Sequence, residues 1–296
     1  MQGQVVVGFD GSPESAAAVD WAAREALRRR LPLELVQAWP WSENHELGGE
    51  NAVRWARRRL SREQLELQGR LTGLEVSGVH VPDEPAAALE AAAKQAALLV
   101  LGSRALSTVH GFLVGSVSQD VLGRAACPVV LVRAGATDAG EHQPDAEGRP
   151  STGTPFRDVV LGLDLHHPYD AVLTFGFEAA QLRSAPLRVV HVWGPPVGTS
   201  LANGVIAGMG DLPEAAETQA LTEALRPWQD KYPQVEVIPR TIMGSAGYTL
   251  LETASQAGLL VVGRRTRHAP LGPRLGPVAH AAVHHASCPV AVVPSD

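Results

Sequence analysis

Gly102, Gly115, Ser116 and Ser118 are the residues whose types and spacing point most directly to chemistry, and that chemistry is phosphate binding. They lie in LLVLGSRALSTVHGFLVGSVSQDVLGRAACPVVLV, running from Leu98 to Val132. A glycine lets the backbone leave a strand with no side chain in the way, and Gly115-Ser116 sets N–H groups and a hydroxyl at a helix start. Such an end carries partial positive charge and unpaired donors, so it favours an anion. The same connection also forms with a serine cap and no ligand, so the residue types alone leave both readings open. Asp10 and Asp164 each close a first strand. A carboxylate there can accept from a ribose hydroxyl, stand near a phosphate-bound metal, or cap the following turn.

A second, degraded copy of these groups follows in the chain. Asp164, Gly263 and Gly276 repeat Asp10, Gly102 and Gly115, but Thr266 stands opposite Ala105, Pro277 opposite Ser116 and Ala279 opposite Ser118. Proline has no N–H to offer, so a donor and two hydroxyls are missing, and the second copy is expected to bind a triphosphate weakly or not at all. Arg264, Arg265, Arg267 and Arg274 crowd its loop; a solvated surface is expected, with phosphate ligation as the alternative. His166-His167 is expected in an exposed turn. His280, His284 and His285 give one i, i+4 pair without a third ligand at recognisable spacing, so a solvated helix face is expected and no metal site. Arg54, Arg57, Arg58, Arg59 and Arg62, interleaved with Trp55, read as an exposed basic helix face. No nucleophile elbow, nucleophile–base pair or metal-hydrolase motif is present. An efficient enzyme is therefore not expected, and slow hydrolysis of a bound nucleotide stays compatible with the sequence.

The elements that must position these groups alternate between strand and helix. The first half reads as strand Val5–Phe9, helix Ser15–Arg30 behind a Ser12 cap and Pro13, strand Leu33–Trp39, loop Pro40–Gly49, helix Glu50–Leu71, strand Leu74–Val81 and helix Pro85–Gln95. Strand Leu98–Leu101, helix Val117–Arg124 and strand Pro128–Val132 complete it. The second half repeats the order: strand Asp158–Asp164, helix Tyr169–Ser184, strand Leu187–Trp193, loop Gly194–Leu212, helix Pro213–Tyr232, strand Val235–Ile242 and helix Tyr248–Ala257. Strand Leu259–Gly263, a loop and helix to Ala286, and strand Pro289–Val293 close the chain. The repeat is legible in the residues. Val6-Val7-Gly8-Phe9-Asp10 matches Val160-Leu161-Gly162-Leu163-Asp164, and Val36-Gln37-Ala38-Trp39 matches Val190-His191-Val192-Trp193 at the same offset. Gly102, Gly115 and Cys127-Pro128 match Gly263, Gly276 and Cys288-Pro289 at a slightly larger one.

Alternation of this kind implies an α/β fold with a parallel sheet and right-handed crossovers, twice. The domains are read as residues 1–133 and 156–296. Residues 134–155, rich in Gly, Pro, Asp and Ser and without apolar periodicity, are read as a mobile linker. The loop from Gly194 to Gly210 leaves the C-terminal end of a strand; disorder is expected there, with a lid as the alternative.

Composition narrows the function. The 296 residues suffice for two cores, and 25 basic against 31 acidic residues give a net charge of −6, which argues against nucleic acid and acidic membranes as partners. The N-terminus enters a strand directly and no apolar run has spanning length, so a cytoplasmic protein is expected. Cys127 and Cys288, at matching places in the two halves, are expected as buried small residues.

Gly102-x-x-Ala105, nine residues, then Gly115-Ser116 resembles the G-x2-G-x9-G-[S/T] signature of the nucleotide-binding branch of the universal stress protein family. The opening VVVGFDGSPESAAAVDWAAREA and the closing Ala126-Cys127-Pro128 resemble it too, with Ala105 standing where the family has its second glycine. The resemblance implies two Rossmann-like domains, each a five-stranded parallel sheet, whose last strands pair antiparallel as an intramolecular pseudo-dimer; homodimers are compatible with it. It implies ATP as ligand, with or without Mg2+, and a nucleotide-dependent regulator of the stress response. By the same resemblance the site consists of Gly8, Phe9, Asp10, Ala38 at adenine, Leu101, Gly102 at the ribose and α-phosphate, Arg104 and Ala105. Gly115, Ser116, Val117 and Ser118 complete it around the β and γ groups. The weaker second site is Asp164, Val192, Gly263 and Gly276. If Ala105 needs positive φ, its methyl weakens the first site by about 1 kcal/mol. The rival reading is a nucleotide-independent interaction scaffold with retired sites. A phosphate-transferring enzyme is disfavoured because such enzymes usually carry their phosphate loop after the first strand.

Overall fold

The computed structural model of the chain describes residues 3–39, 49–105, 112–113, 115–167, 169–194, 212–264, 266–269 and 272–294. In the first half these are β1 (Gln4–Gly8), α1 (Pro13–Arg29), β2 (Leu33–Ala38), α2 (Gly49–Arg70), β3 (Val76–Val81), α3 (Pro85–Ala93), β4 (Ala96–Ala105), β5 (Phe112–Leu113), α4 (Ser116–Arg124) and β6 (Val129–Arg133). The second half has β7 (Val159–Leu163), α5 (Asp170–Arg183), β8 (Leu187–Trp193), α6 (Leu212–Lys231), β9 (Val237–Met243) and α7 (Ala246–Thr253). It ends with β10 (Leu259–Arg264), β11 (Thr266–Ala269), β12 (Gly272–Leu275), α8 (Pro277–His285) and β13 (Val290–Pro294).

Apolar runs such as Val5-Val6-Val7 are fully buried because helices cover both faces of the sheet. Its strands run β3-β2-β1-β4-β6-β13-β10-β7-β8-β9, parallel within each half. At the centre β6 meets β13 antiparallel, with Val129 opposite Val292 and Leu131 opposite Val290. Two five-stranded sheets thus become one continuous sheet, and each last strand supplies the partner that the other's open edge needs. One core, with Trp21, Leu67, Phe177 and Leu221, lies on the side of α1, α2, α5 and α6. The other, with Leu89, Leu122, Leu250 and Val283, lies under α3, α4, α7 and α8.

Helix α1 starts as the sequence indicates, with Ser12 Oγ accepting the Ser15 N–H at 3.1 Å and Pro13 in the first turn. It ends on Arg30 at φ 55°, and α5 ends on Ser184 at φ 49°, so both copies close this helix with a left-handed non-glycine residue.

Two expectations are corrected. Residues 134–155 are docked rather than mobile. Thr137 caps a short 3-10 turn at Asp138–Glu141, and Glu141, only 3% exposed, accepts from Arg24 Nη2 at 2.7 Å. His142 bridges to Phe156 and its backbone carbonyl accepts from Arg157 Nε at 2.7 Å. The segment is held by ion pairs with α1, which leave no apolar period to read. The loop after β10 is a β-hairpin, β11 paired antiparallel with β12, where the sequence suggested irregular chain. Strand β4 likewise runs on to Ala105 and pairs with β5.

Candidate functional site

The first crevice opens where β1 and β4 end side by side, Val7 opposite Val100, at the point where strand order reverses. Asp10 follows β1 and is exposed; its Oδ1 accepts the Ser12 N–H at 2.8 Å, so it caps the turn into α1. Burial works against its ionisation, but hydrogen bonds from Ser12 and Ser15 outweigh that and hold the carboxyl below its usual range. It therefore presents a fixed negative charge, suited to ribose hydroxyls or a phosphate-bound cation.

Helix α4 begins at Ser116, with Gly115 as its N-cap at φ −60° in place of the serine cap the sequence suggests. The first bond of the helix runs from the Gln119 N–H to Gly115 O at 3.0 Å. The amides of Ser116, Val117 and Ser118 thus form its donor-rich end. Gly115 and Ser116 are exposed, and a Cβ built on Gly115 would meet nothing within 4 Å among the described residues. The residues present fit an anion, with Asp10 as the carboxylate available to an accompanying cation.

Other residues named from the sequence do different work. Phe9 and Leu101, each 4% exposed, are core side chains, leaving only their backbones for a ligand. Gly8 faces Leu101, whose Cδ2 lies 2.9 Å from where a Cβ would stand. Gly102 admits the first turn of α1, since its Cβ would fall 2.5 Å from Glu14 C and O. Arg104 and Ala105 continue β4, opposite Leu113 and Phe112. Ala105 is therefore extended backbone, and the expected penalty for positive φ does not arise.

Gln37 was not singled out from the sequence. It is 4% exposed beside Ala38, and its Oε1 is buried without a partner among the described residues. Across the sheet from it, His80 has a buried Nδ1 in the same condition. Orphaned polar atoms of this kind call for water or ligand. Arg59, read as part of an exposed basic face, instead reaches the crevice rim, where its Nη2 donates to Gly11 O and its guanidinium lies 5.2 Å from the Trp55 ring.

The second half holds a cavity of about 670 Å3 at the same place in its sheet. Asp164, Val192, Gly263 and Gly276, the four residues of the weaker site, all line it. Asp164 Oδ1 accepts the His166 N–H at 3.0 Å, and Oδ2 lies 3.0 Å from His167 Nδ1. Deeper, His191 sets Nδ1 3.0 Å from Leu163 O and Nε2 3.1 Å from Glu217 Oε2. Helix α8 starts with Pro277, and only Val278 and Ala279 supply amides ahead of the first bond, His280 N–H to Gly276 O at 2.9 Å.

The universal stress protein family model matches residues 1–133 and again 155–294. The chain belongs to that family. A universal stress protein of Mycolicibacterium smegmatis is 32% identical over 308 aligned positions, covering 98% of this chain and 96% of the relative. Universal stress protein Rv1996 of Mycobacterium tuberculosis is 30% identical, covering 99% and 96%. The crystal structure of a universal stress protein from Archaeoglobus fulgidus covers all of both chains with a TM-score of 0.72 at 14% identity, a likeness of fold.

In this universal stress protein, several charged residues stand away from their expected places. Arg264, expected at a solvated surface, is 7% exposed and donates from Nη1 to Ala125 O at 2.5 Å, tying the second half to the first. Arg265 and, beyond Gly194, the 194–210 lid candidate lie outside the described residues, as do the side chains of Arg267 and Arg274. His166 and His167 lie in the turn the sequence indicates, His166 exposed, and both also line the cavity. His280 and His284 stack with ring centroids 4.3 Å apart, and no group of three His, Cys, Asp or Glu able to hold a metal occurs among the described residues. Cys127 and Cys288 are buried and free as expected, with burial pushing their thiols up to about 11 and about 12. No helix among the described residues is long and apolar enough to cross a membrane.

Proposed function

We propose that the chain binds one adenine nucleotide, ATP with Mg2+, in the first crevice, and acts as a nucleotide-dependent cytoplasmic regulator of the stress response rather than as an enzyme. The observation that carries this reading is the start of α4, where three amides ahead of the first helical bond stand beside the exposed Gly115 and Ser116. Such an end stabilises an anion, and the ionised Asp10 at the neighbouring strand end suits the ribose or the cation. The orphaned Gln37 Oε1 adds an acceptor without a protein partner among the described residues. Regulation follows if bound nucleotide changes what the surface offers a partner; hydrolysis, where it occurs, is expected to be slow because the sequence carries no nucleophile–base pair or metal-hydrolase motif.

Calorimetric titration with ATP and Mg2+ tests this reading. A Cβ at position 115 meets no atom within 4 Å among the described residues, so Gly115→Glu is expected to keep the fold while setting a carboxylate against the phosphates. Its affinity for ATP is expected to fall by at least about tenfold with an unchanged melting temperature. Equal affinities for variant and parent would move the nucleotide elsewhere.

A further inference from the structure

We infer that the cavity of the second half is a ligand site of its own, for an uncharged ring compound of nucleoside size that carries hydroxyl or amino donors and no phosphate chain. The inference goes beyond the nucleotide reading of the first crevice and does not depend on it.

Size and walls come first. A cavity of about 670 Å3 lies in the range of small-molecule sites, and Val190, Val192, Leu250 and Val262 give it an apolar wall on the side of the sheet covered by α7 and α8. A flat ring can be buried there.

The polar groups then select the ligand's chemistry. Asp164 and Glu217 are acceptors already fixed in direction, one by the turn at His166 and His167, the other by His191, whose side chain is only 2% exposed. Fixed carboxylates reward hydroxyl or amino donors on a ligand and oppose phosphate. The indole Nε1 of Trp193, also in the lining, is buried without a partner among the described residues, so one acceptor on the ligand meets a waiting donor.

The phosphate end is closed by sequence. Pro277 removes the first amide of α8, and Val278 and Ala279 bring no hydroxyl. No lysine or arginine lines the cavity among the described residues.

Finally, the site is not a worn copy of the first. Where β8 carries His191, β2 carries Gln37, and one turn before the buried Leu221 and Leu60 stand Glu217 and Ala56. His191 lies opposite Thr241, which bonds Thr218 at 2.7 Å, whereas Gln37 lies opposite His80 and both leave an atom unpaired among the described residues. The second half thus pairs its β8 histidine with a carboxylate of α6, where the first half leaves an amide oxygen unpaired among the described residues, and a paired buried group presents a fixed direction to a ligand.

The test uses the full chain and titrates adenosine, guanosine and cytidine, each beside its triphosphate, into the parent, Val192→Trp, Glu217→Gln and Gly115→Glu. Val192→Trp fills the cavity; Glu217→Gln keeps its shape and removes the charge that His191 faces. At least one nucleoside is expected to bind the parent and Gly115→Glu alike. That binding should weaken at least tenfold in Val192→Trp and severalfold in Glu217→Gln, while ATP affinity at the first crevice is kept in both. Loss of ATP in Gly115→Glu reads the first site separately, so the two assignments fail independently. The inference is overturned if no nucleoside binds, if binding is untouched by both second-half substitutions, or if a triphosphate competes for the Val192-dependent site as well as its nucleoside does. Glu217→Gln keeps the test decisive should Val192→Trp not fold.

Discussion

Gly102 is required by what stands behind it. A methyl there would fall 2.5 Å from the backbone of Glu14, and a helix held by its Ser12 cap and Pro13 cannot retreat cheaply. Gly102→Ala is therefore expected to cost about 1–3 kcal/mol of stability, seen as a lower midpoint in urea with an unchanged slope. A variant as stable as the parent would return this glycine to a role in ligand approach alone. Gly115 is the opposite case, exposed and with no atom within 4 Å of a built Cβ among the described residues, so its substitution should be felt by the ligand and not by the fold. The sequence made both glycines conspicuous but could not separate them, because the neighbour that forbids a Cβ on Gly102 comes from a helix nearly ninety positions away. Gln37 was illegible for a related reason. Only with β3 and α2 in place is it plain that nothing opposite it completes its hydrogen bonds.

At the scale of elements, α1 does more than cover the sheet. Its Glu25, fully buried, accepts from Arg183 Nη2 of α5 at 2.6 Å and from its own Arg29 at 2.7 Å, while Arg24 and Arg28 reach Glu141 of the connecting segment. Burial alone would raise the Glu25 pKa, but the guanidinium groups of Arg183, Arg29 and Arg28 outweigh it and hold the carboxyl at about 2. A carboxyl depressed in the fold stabilises it above the unfolded pKa of about 4.5, and that contribution fades as pH falls toward about 2. Acid titration of the melting temperature should show the decline in that window for the parent and less of it for Glu25→Gln. Glu25→Ala, which leaves Arg183 charged and buried, is expected to cost about 3–5 kcal/mol at neutral pH. A loss below about 1 kcal/mol would mean that water replaces the carboxylate. Strand and helix order could be read from apolar period and caps, whereas this cluster could not, since Glu25 and the Arg-rich end of α1 have the composition of an ordinary solvated helix end.

Across the whole molecule, the antiparallel meeting of β6 with β13 makes two repeats one body, and Arg264 on Ala125 adds a polar tie beside it. Residues 1–133 alone would expose β6 as a central-type strand with apolar side chains on both faces, an edge that invites pairing. That fragment is expected to dimerise through β6, read by light scattering; a stable monomer would contradict this role for the strand pair. The repeat itself was plain in the residues, and the family matches on both halves agree with it. Which half suits which ligand was only partly legible. Pro277 announced the missing amide, while the cavity behind it, with His191 and Glu217 on its floor, emerged only from the folded chain.

The central claim is an unequal pair of sites, one built for a triphosphate and one not. Mass spectrometry of nucleotide released by denaturing freshly purified protein tests it most directly, on the parent and on Gly115→Glu. The account predicts about one ATP per chain from the parent, in line with a single donor-rich helix start, and almost none from the variant. Two ATP per chain, or the same amount from both proteins, would contradict it.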